Sequence, residues 1–255
     1  MSDFANELER SPPLQGTEPI NLLAIECTEK NGSVALLTQN GLTFLSLPTQ
    51  VSTARALAPA IRTVLGHGGL SVRNLERICV THGPGSFTGL RIGIGLARAM
   101  AFGADVPLIG VSSLATLACD YAFPRTEHSR RVESKFVTAL NAFRNELFVA
   151  AWQVDNEHKL TRLTDDMVIG RQNLAEWTRR ICNCDDGFVI SPENPTFFGE
   201  LNVGQVFPTA WGVINAAMFQ TPPINSTIDE ILPRYLRRSA AEEKRSDVAN
   251  TERKS

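Results

Sequence analysis

The chain has 255 residues, 43% hydrophobic and 20% charged, enough to bury the core of one large domain or two small ones. A net charge of −2 and a pI near 6.1 exclude a domain-wide basic field for nucleic acid, so any RNA role would leave the phosphate contacts mainly to a partner. The five scattered cysteines form no CxxC pair, no apolar run nears the roughly 20 residues of a membrane span, and the N-terminus lacks a signal core, so the expectation is a cytoplasmic protein with reduced thiols and no membrane contact.

Residues 1–18, "MSDFANELERSPPLQGTE", are polar with adjacent prolines and are expected to be a disordered extension. "INLLAIECT" then reads as a buried strand. "GSVALLTQNG" and "LTFLSLP" follow, and Asn40-Gly41 between them predicts a tight antiparallel hairpin. "STARALAPAIRTVLGHGG" spaces Ala54, Leu57, Ile61 and Val64 for a helix, with Ser52 or Thr53 as N-cap and Gly66 as the stop. "ERICVTH" is a further buried strand, "GPGSFTGLRIGIGLARAMAFG" a glycine loop opening into a helix, and "VPLIGVSS" and "SLATLACDYA" a strand and a helix. The order βββαβαβα is an α/β layer pattern.

The polar stretch "FPRTEHSRRVES" marks a boundary. "KFVTALNAF" and "ELFVAAWQV", joined at Arg144-Asn145, open a second half; "KLTRLTDDMVIG" is a third strand, and "RQNLAEWTRRIC" and "TAWGVINAAMFQ" are helices. Three strands and then a helix repeat the first half's order. The predicted divisions are a first lobe over 19–123, a second over 124–238, and a charged tail over 239–255 that is frayed or disordered.

The glycine stretch poses the functional question. Strand, glycine loop and helix make the usual setting of an anion site, because helix N-terminal N–H groups point outward. Glu26, Gly83, Gly85, Ser86 and Thr88 would form such a loop, with Ser86 or Thr88 capping the helix. Yet "GPGSFTG" has neither the P-loop lysine nor dinucleotide spacing, so a tight turn entering a closely packed helix is an equal reading. On a helical wheel Leu90, Ile94, Ala97 and Ala101 form one apolar face and Ile92, Leu96, Ala99 and Met100 a second. Only a narrow stripe with Arg91, Gly95 and Arg98 is polar. One sheet can cover only one of these faces, so the other is expected to meet a second domain or a second protein. The histidines show no HxxxH or HExxH pairing, and Ser86 lies outside G-x-S-x-G.

"RICVTH" followed by "GPGSFTGLRIGIGLARAMAFG", with "LLAIECTEKNGSVAL" before and "PLIGVSSLATLA" after, resembles the TsaB (YeaZ) family over residues 21–120, and "LPRYLRRSAAEE" resembles its P-x-Y-L-R segment. The resemblance implies two actin/hexokinase-like (ASKHA, ribonuclease H-like) α/β lobes, each a mixed sheet with flanking helices. It implies a subunit without catalytic residues, cofactor or metal, which pairs with a TsaD-like catalytic subunit, is joined by a TsaE-like ATPase, and supports threonylcarbamoyl transfer to adenosine 37 of tRNA. The tRNA is met only through the complex, and a second copy of the chain replaces TsaD when TsaD is absent. The implied interface is the helix after the glycine loop, with Gly89, Arg91, Ile92, Gly95, Leu96, Arg98, Ala99 and Phe102. The alternative is an autonomous ATP-dependent enzyme of the actin/hexokinase kind or an M22-type peptidase, but Glu26 stands without the second carboxylate a phosphotransferase needs. The family usually has Asp at position 26 and His-Ser near "VSTAR". It has D-A-R-x-x-E-V-Y where this chain has Asn141, Phe143, Glu146 and Phe148.

Overall fold

The apolar runs of the first half assemble into one mixed sheet in a computed structural model that describes residues 8–11, 20–29, 32–125, 133–183, 187–219 and 231–234. Its strands are β1 (Leu8–Ser11), β2 (Leu22–Glu26), β3 (Ser33–Thr38), β4 (Gly41–Ser46), β5 (Arg77–Gly83) and β6 (Leu108–Ser112), in the order β1-β4-β3-β2-β5-β6. Asn40-Gly41 turns β3 into β4 as the sequence predicts, with Thr38 opposite Gly41. β2, β5 and β6 run parallel, and the crossovers between them carry α1 (Thr53–His67) and α2 (Phe87–Ala104). α1 runs past the expected stop at Gly66 and is capped by Gly68. Because these strands are covered on both faces, they read as continuous apolar runs. Leu23 and Ile25 face α1 and α2, while Leu22 and Ala24 face the other way.

Leu8–Ser11 corrects one expectation. These four residues of the supposedly structureless extension pair antiparallel with β4, Leu8 opposite Leu45 and Ser11 opposite Leu42. The outer edge of β4 would otherwise present unpaired backbone groups, and Leu8 packs on the α1/α2 core. Glu9 adds an ion pair to Arg125, whose guanidinium lies 4.4 Å over the Phe44 ring. Residues 1–7 and 12–18 lie outside the described residues.

The second sheet repeats the plan. Its strands are β7 (Lys135–Phe143), β8 (Glu146–Val154), β9 (Leu160–Arg162), β10 (Met167–Gly170), β11 (Phe188–Ser191) and β12 (Asn202–Gln205), ordered β10-β8-β7-β11-β12 with β9 also on β8. β7 and β8 are antiparallel, and β11 and β12 follow parallel to β7, matching β2, β3, β5 and β6 in the first sheet. The single strand expected at "KLTRLTDDMVIG" is two, because the chain between β9 and β10 turns inward to bury Asp166.

Helices α3 (Ser113–Ala122) and α5 (Ala210–Phe219) lie between the sheets, and α4 (Leu174–Cys182) covers the outer face of the second. Their shared core joins Leu22, Ala35 and Phe44 of the first sheet to Phe136, Ala150 and Ile190 of the second. α5 starts at a well-made cap: Asp120 accepts from the Thr209 backbone N–H at 2.7 Å and from its hydroxyl at 2.6 Å, and Ser33 accepts from the Ala210 N–H at 2.8 Å. The chain therefore crosses the expected division at 123/124, since α5 returns to the first sheet and Ile231 is buried in the first lobe's core. The expected tail, 239–255, lies outside the described residues.

Candidate partner-binding surface

Helix α2 is set in place by its first turn. Ser86 is the N-cap, its hydroxyl accepting from the Gly89 N–H at 3.3 Å. Gly89 is there for close approach: a Cβ on it would lie 1.9 Å from the carbonyl oxygen of Cys27 at the end of β2. Gly93 follows one turn on, again over Cys27, so α2 rests almost backbone-to-backbone on the first sheet. Leu90, Ile94, Ala97 and Ala101 complete the buried face, as the wheel predicts.

The opposite face is open. Phe87, Arg91, Gly95, Ala99 and Phe102 follow one another at helical spacing and are exposed, Phe102 to 82%. The Arg91 guanidinium lies 3.8 Å over the Phe87 ring. Among the described residues, nothing apart from the helix's own neighbouring backbone comes within 4 Å of where a Cβ on Gly95 or Gly103 would stand. Ile92, Leu96, Arg98 and Met100 flank this stripe half-buried. Beside them a shallow groove of about 360 Å³ runs between Ala99, Met100, Gly103 and Ala104 of α2 and Ser71, Val72 and Arg73 of the short 3-10 turn before β5. A stripe with exposed aromatics, arginine and bare backbone, next to an apolar groove, is suited to a facing helix.

Of the residues expected at the interface, Arg91, Ile92, Gly95, Leu96, Arg98, Ala99 and Phe102 share this outer side, and Gly89 does not. Gly89 is buried under the helix against Cys27, so its lack of a side chain serves the protein's own packing. Gly93 likewise belongs to the inner face. Phe87 and the turn residues Val72 and Arg73 were not among the candidates. Phe87 could have been found from its four-residue spacing to Arg91, whereas the turn is brought to α2 only by tertiary folding.

The loop candidates fold onto the protein itself. The Ser86 N–H donates to the Thr28 carbonyl at 3.2 Å, and a Cβ on Gly85 would stand 2.8 Å from the Thr28 side chain. Gly83, at φ +115°, is covered by the Arg234 carbonyl. Thr88 is exposed on the first turn of α2. Glu26 is sealed, with no exposed surface. Its Oε1 accepts from the Thr28 N–H at 2.6 Å and pairs with the Thr28 hydroxyl. Burial raises the Glu26 pKa, and burial together with the nearby Glu26 raises that of Asp120. Burial also holds the Cys79 thiol up at about 12, far from thiolate chemistry. No group of three His, Cys, Asp or Glu side chains that could hold a metal occurs among the described residues, and none of their helices is long and apolar enough to cross a membrane.

Fold and site together define a two-lobed actin/hexokinase-like protein in which the outer face of α2 is exposed. The family model described as TsaD, tRNA N6-adenosine threonylcarbamoyltransferase, matches residues 47–172. The chain is 32% identical over 129 residues to the tRNA threonylcarbamoyladenosine biosynthesis protein TsaB of Haemophilus influenzae, and 33% identical over 137 residues to that of Escherichia coli. These alignments span about half the length of each relative, 52% and 56%, and 51% and 53% of this chain. The TsaB of Bacillus subtilis is 24% identical over 88% of this chain and 97% of its own length. In fold the chain is similar to the solved structure of YeaZ from Pseudomonas aeruginosa, with a TM-score of 0.65, 22% identity, and coverage of 85% of this chain and 99% of that one. A second structure, described as similar to peptidase YeaZ from the same organism, matches at a TM-score of 0.68 and 24% identity, covering 86% of this chain and 100% of that one. In sequence the chain is thus similar to TsaB proteins, and in fold to the YeaZ structures.

Proposed function

We propose that the chain is a non-catalytic subunit in the synthesis of threonylcarbamoyladenosine at adenosine 37 of tRNA. It pairs with a TsaD-like catalytic subunit through the outer face of α2, a TsaE-like ATPase joins the pair, and a second copy occupies the same face when TsaD is absent. Phe102, exposed to 82% beside the bare backbone of Gly95 and Gly103, is the observation that carries this reading. The sealed carboxyl of Glu26 supports the absence of chemistry in this chain, because a carboxyl with no exposed surface is poorly placed to hold a hydrated metal. The names of the relatives support the pathway.

Calorimetric titration against the TsaD of the same organism tests the proposal. Gly95→Leu fills the open backbone, and overpacking at a helix contact costs about 1–3 kcal/mol, which is on the order of tenfold or more in affinity. Arg98→Glu reverses a charge at the edge of the stripe and is expected to weaken binding as well. Wild-type affinity in both variants would move the interface off α2.

A further inference from the structure

The segment Ile231–Arg234, where the P-x-Y-L-R resemblance begins, crosses the carboxyl ends of β5 and β6. Ile231 is buried with the α1/α2 core and lies against Gly110 of β6. The Arg234 N–H donates to the His82 carbonyl at 2.6 Å, and the His82 side chain hydrogen-bonds the Leu232 backbone. The Arg234 carbonyl would stand 2.9 Å from any Cβ on Gly83. Gly83 therefore has to be glycine twice over, for its positive φ and for this contact.

The side chain of Arg234 reaches the other lobe. Its guanidinium donates to Asp166 Oδ2 at 2.8 Å, and Asp166 has no exposed side-chain surface. The same Oδ2 accepts from the Ser112 hydroxyl at 2.8 Å, and Oδ1 is paired with Arg162. Ser112 caps α3 and is the register partner of Gly83. One carboxylate from the β9–β10 connection thus holds the C-terminal segment, the start of α3 and its own lobe. A buried carboxylate with charged donors on both oxygens is a strong and geometrically demanding contact. Gly83 is also the first residue of the loop that ends at Ser86, the cap of α2.

We propose that Arg234 is a positioning residue: its pair with Asp166 latches the C-terminal segment across both lobes and holds the Gly83–Ser86 loop, and with it the start of α2, in the geometry that a partner binds. The part concerning the partner rests on the reading of α2 as the partner surface. Gly95 is on that surface; Arg234 and Asp166 are not.

Hydrogen exchange and partner titration on the full chain separate the two. In Arg234→Met, which keeps the aliphatic stem and removes the charge, amides of residues 82–90 are expected to exchange on the order of tenfold faster. Affinity for the TsaD-like partner should fall roughly threefold to thirtyfold. Arg234→Lys should restore much of both. Asp166→Asn, which keeps a hydrogen-bond acceptor for Ser112, should reproduce the Arg234→Met effect, and a thermal melt of each variant controls for global unfolding. Unchanged exchange at 82–90 in Arg234→Met overturns the latch. Faster exchange with unchanged partner affinity overturns its coupling to α2. If the wild-type chain itself fails to bind the partner, the reading of α2 falls, and with it the coupling, while exchange alone still decides whether the latch holds the loop.

Discussion

Gly89→Ala and Gly95→Ala make the same chemical change six positions apart on one helix, and they should move stability in opposite directions. Each gains the helix propensity that glycine lacks, about 1 kcal/mol. At Gly95 the new methyl meets nothing among the described residues within 4 Å beyond its own helix backbone, so the gain stands. For a chain of this size it should raise the melting temperature by about 2–4 °C. At Gly89 the methyl would lie 1.9 Å from the Cys27 carbonyl oxygen. Reaching an ordinary contact of about 3.5 Å requires α2 and the end of β2 to separate by about 1.6 Å. Neither can yield as a side chain would, because both are backbone and the residues around them are buried. Overpacking typically costs about 1–3 kcal/mol, and this geometry belongs at the upper end. After subtracting the propensity gain of about 1 kcal/mol, the net loss is about 2 kcal/mol, a fall of about 4–8 °C. Melts followed by circular dichroism on the isolated chain, at a concentration low enough to keep it monomeric, measure both variants. A Gly89→Ala variant that melts at or above wild type, or a Gly95→Ala variant that melts below it, would show that α2 does not present these faces.

Two further predictions concern the first sheet. The Glu26 pKa is raised above its ordinary value of 4.5 by burial, so the stability its proton contributes is complete below 4.5 and is lost as pH rises through the folded-state value. Glu26→Gln removes that loss; its unfolding free energy from denaturant titration, relative to wild type, should climb as pH rises from 4 to 8, by up to about 1.4 kcal/mol per pH unit until the folded-state pKa is passed, and a pH-independent difference would show that Glu26 titrates normally. Deleting residues 1–18 removes β1 and the half-buried Leu8, so it should cost about 1 kcal/mol and lower the melting temperature by about 2–4 °C without weakening partner binding, because β1 lies at the sheet edge opposite β6; a truncated chain that melts like the full one would show that β1 adds nothing.

Much of this architecture is legible without coordinates because its determinants are local. Asn40-Gly41 can turn only a tight hairpin, the apolar runs at 22–26 and 77–83 suit strands covered on both sides, and the wheel of residues 87–104 separates a core face from a second apolar side. The two-lobe plan is what the family resemblance implies, and the repeated order of strands and helices agrees with it. The roles of individual residues did not follow, because each depends on a neighbour distant in the chain. Glycine at 89, 93 and 95 reads alike in sequence, and only the seating of α2 on Cys27 decides that the first two pack inward and the third is open. Glu26 reads as a strand-end carboxylate beside the glycine loop, and it is the packing of α3 and α5 over the first sheet that buries it. "KLTRLTDDMVIG" reads as one strand, but Asp166, a carboxylate used by Ser112, 54 residues earlier, and by Arg234, 68 residues later, lies between its two strands. Leu8–Ser11 is too short and polar to announce a strand and becomes one because β4 offers an edge. Local pattern decides which elements form; the register between distant elements decides which of their atoms are covered, paired or left for a partner.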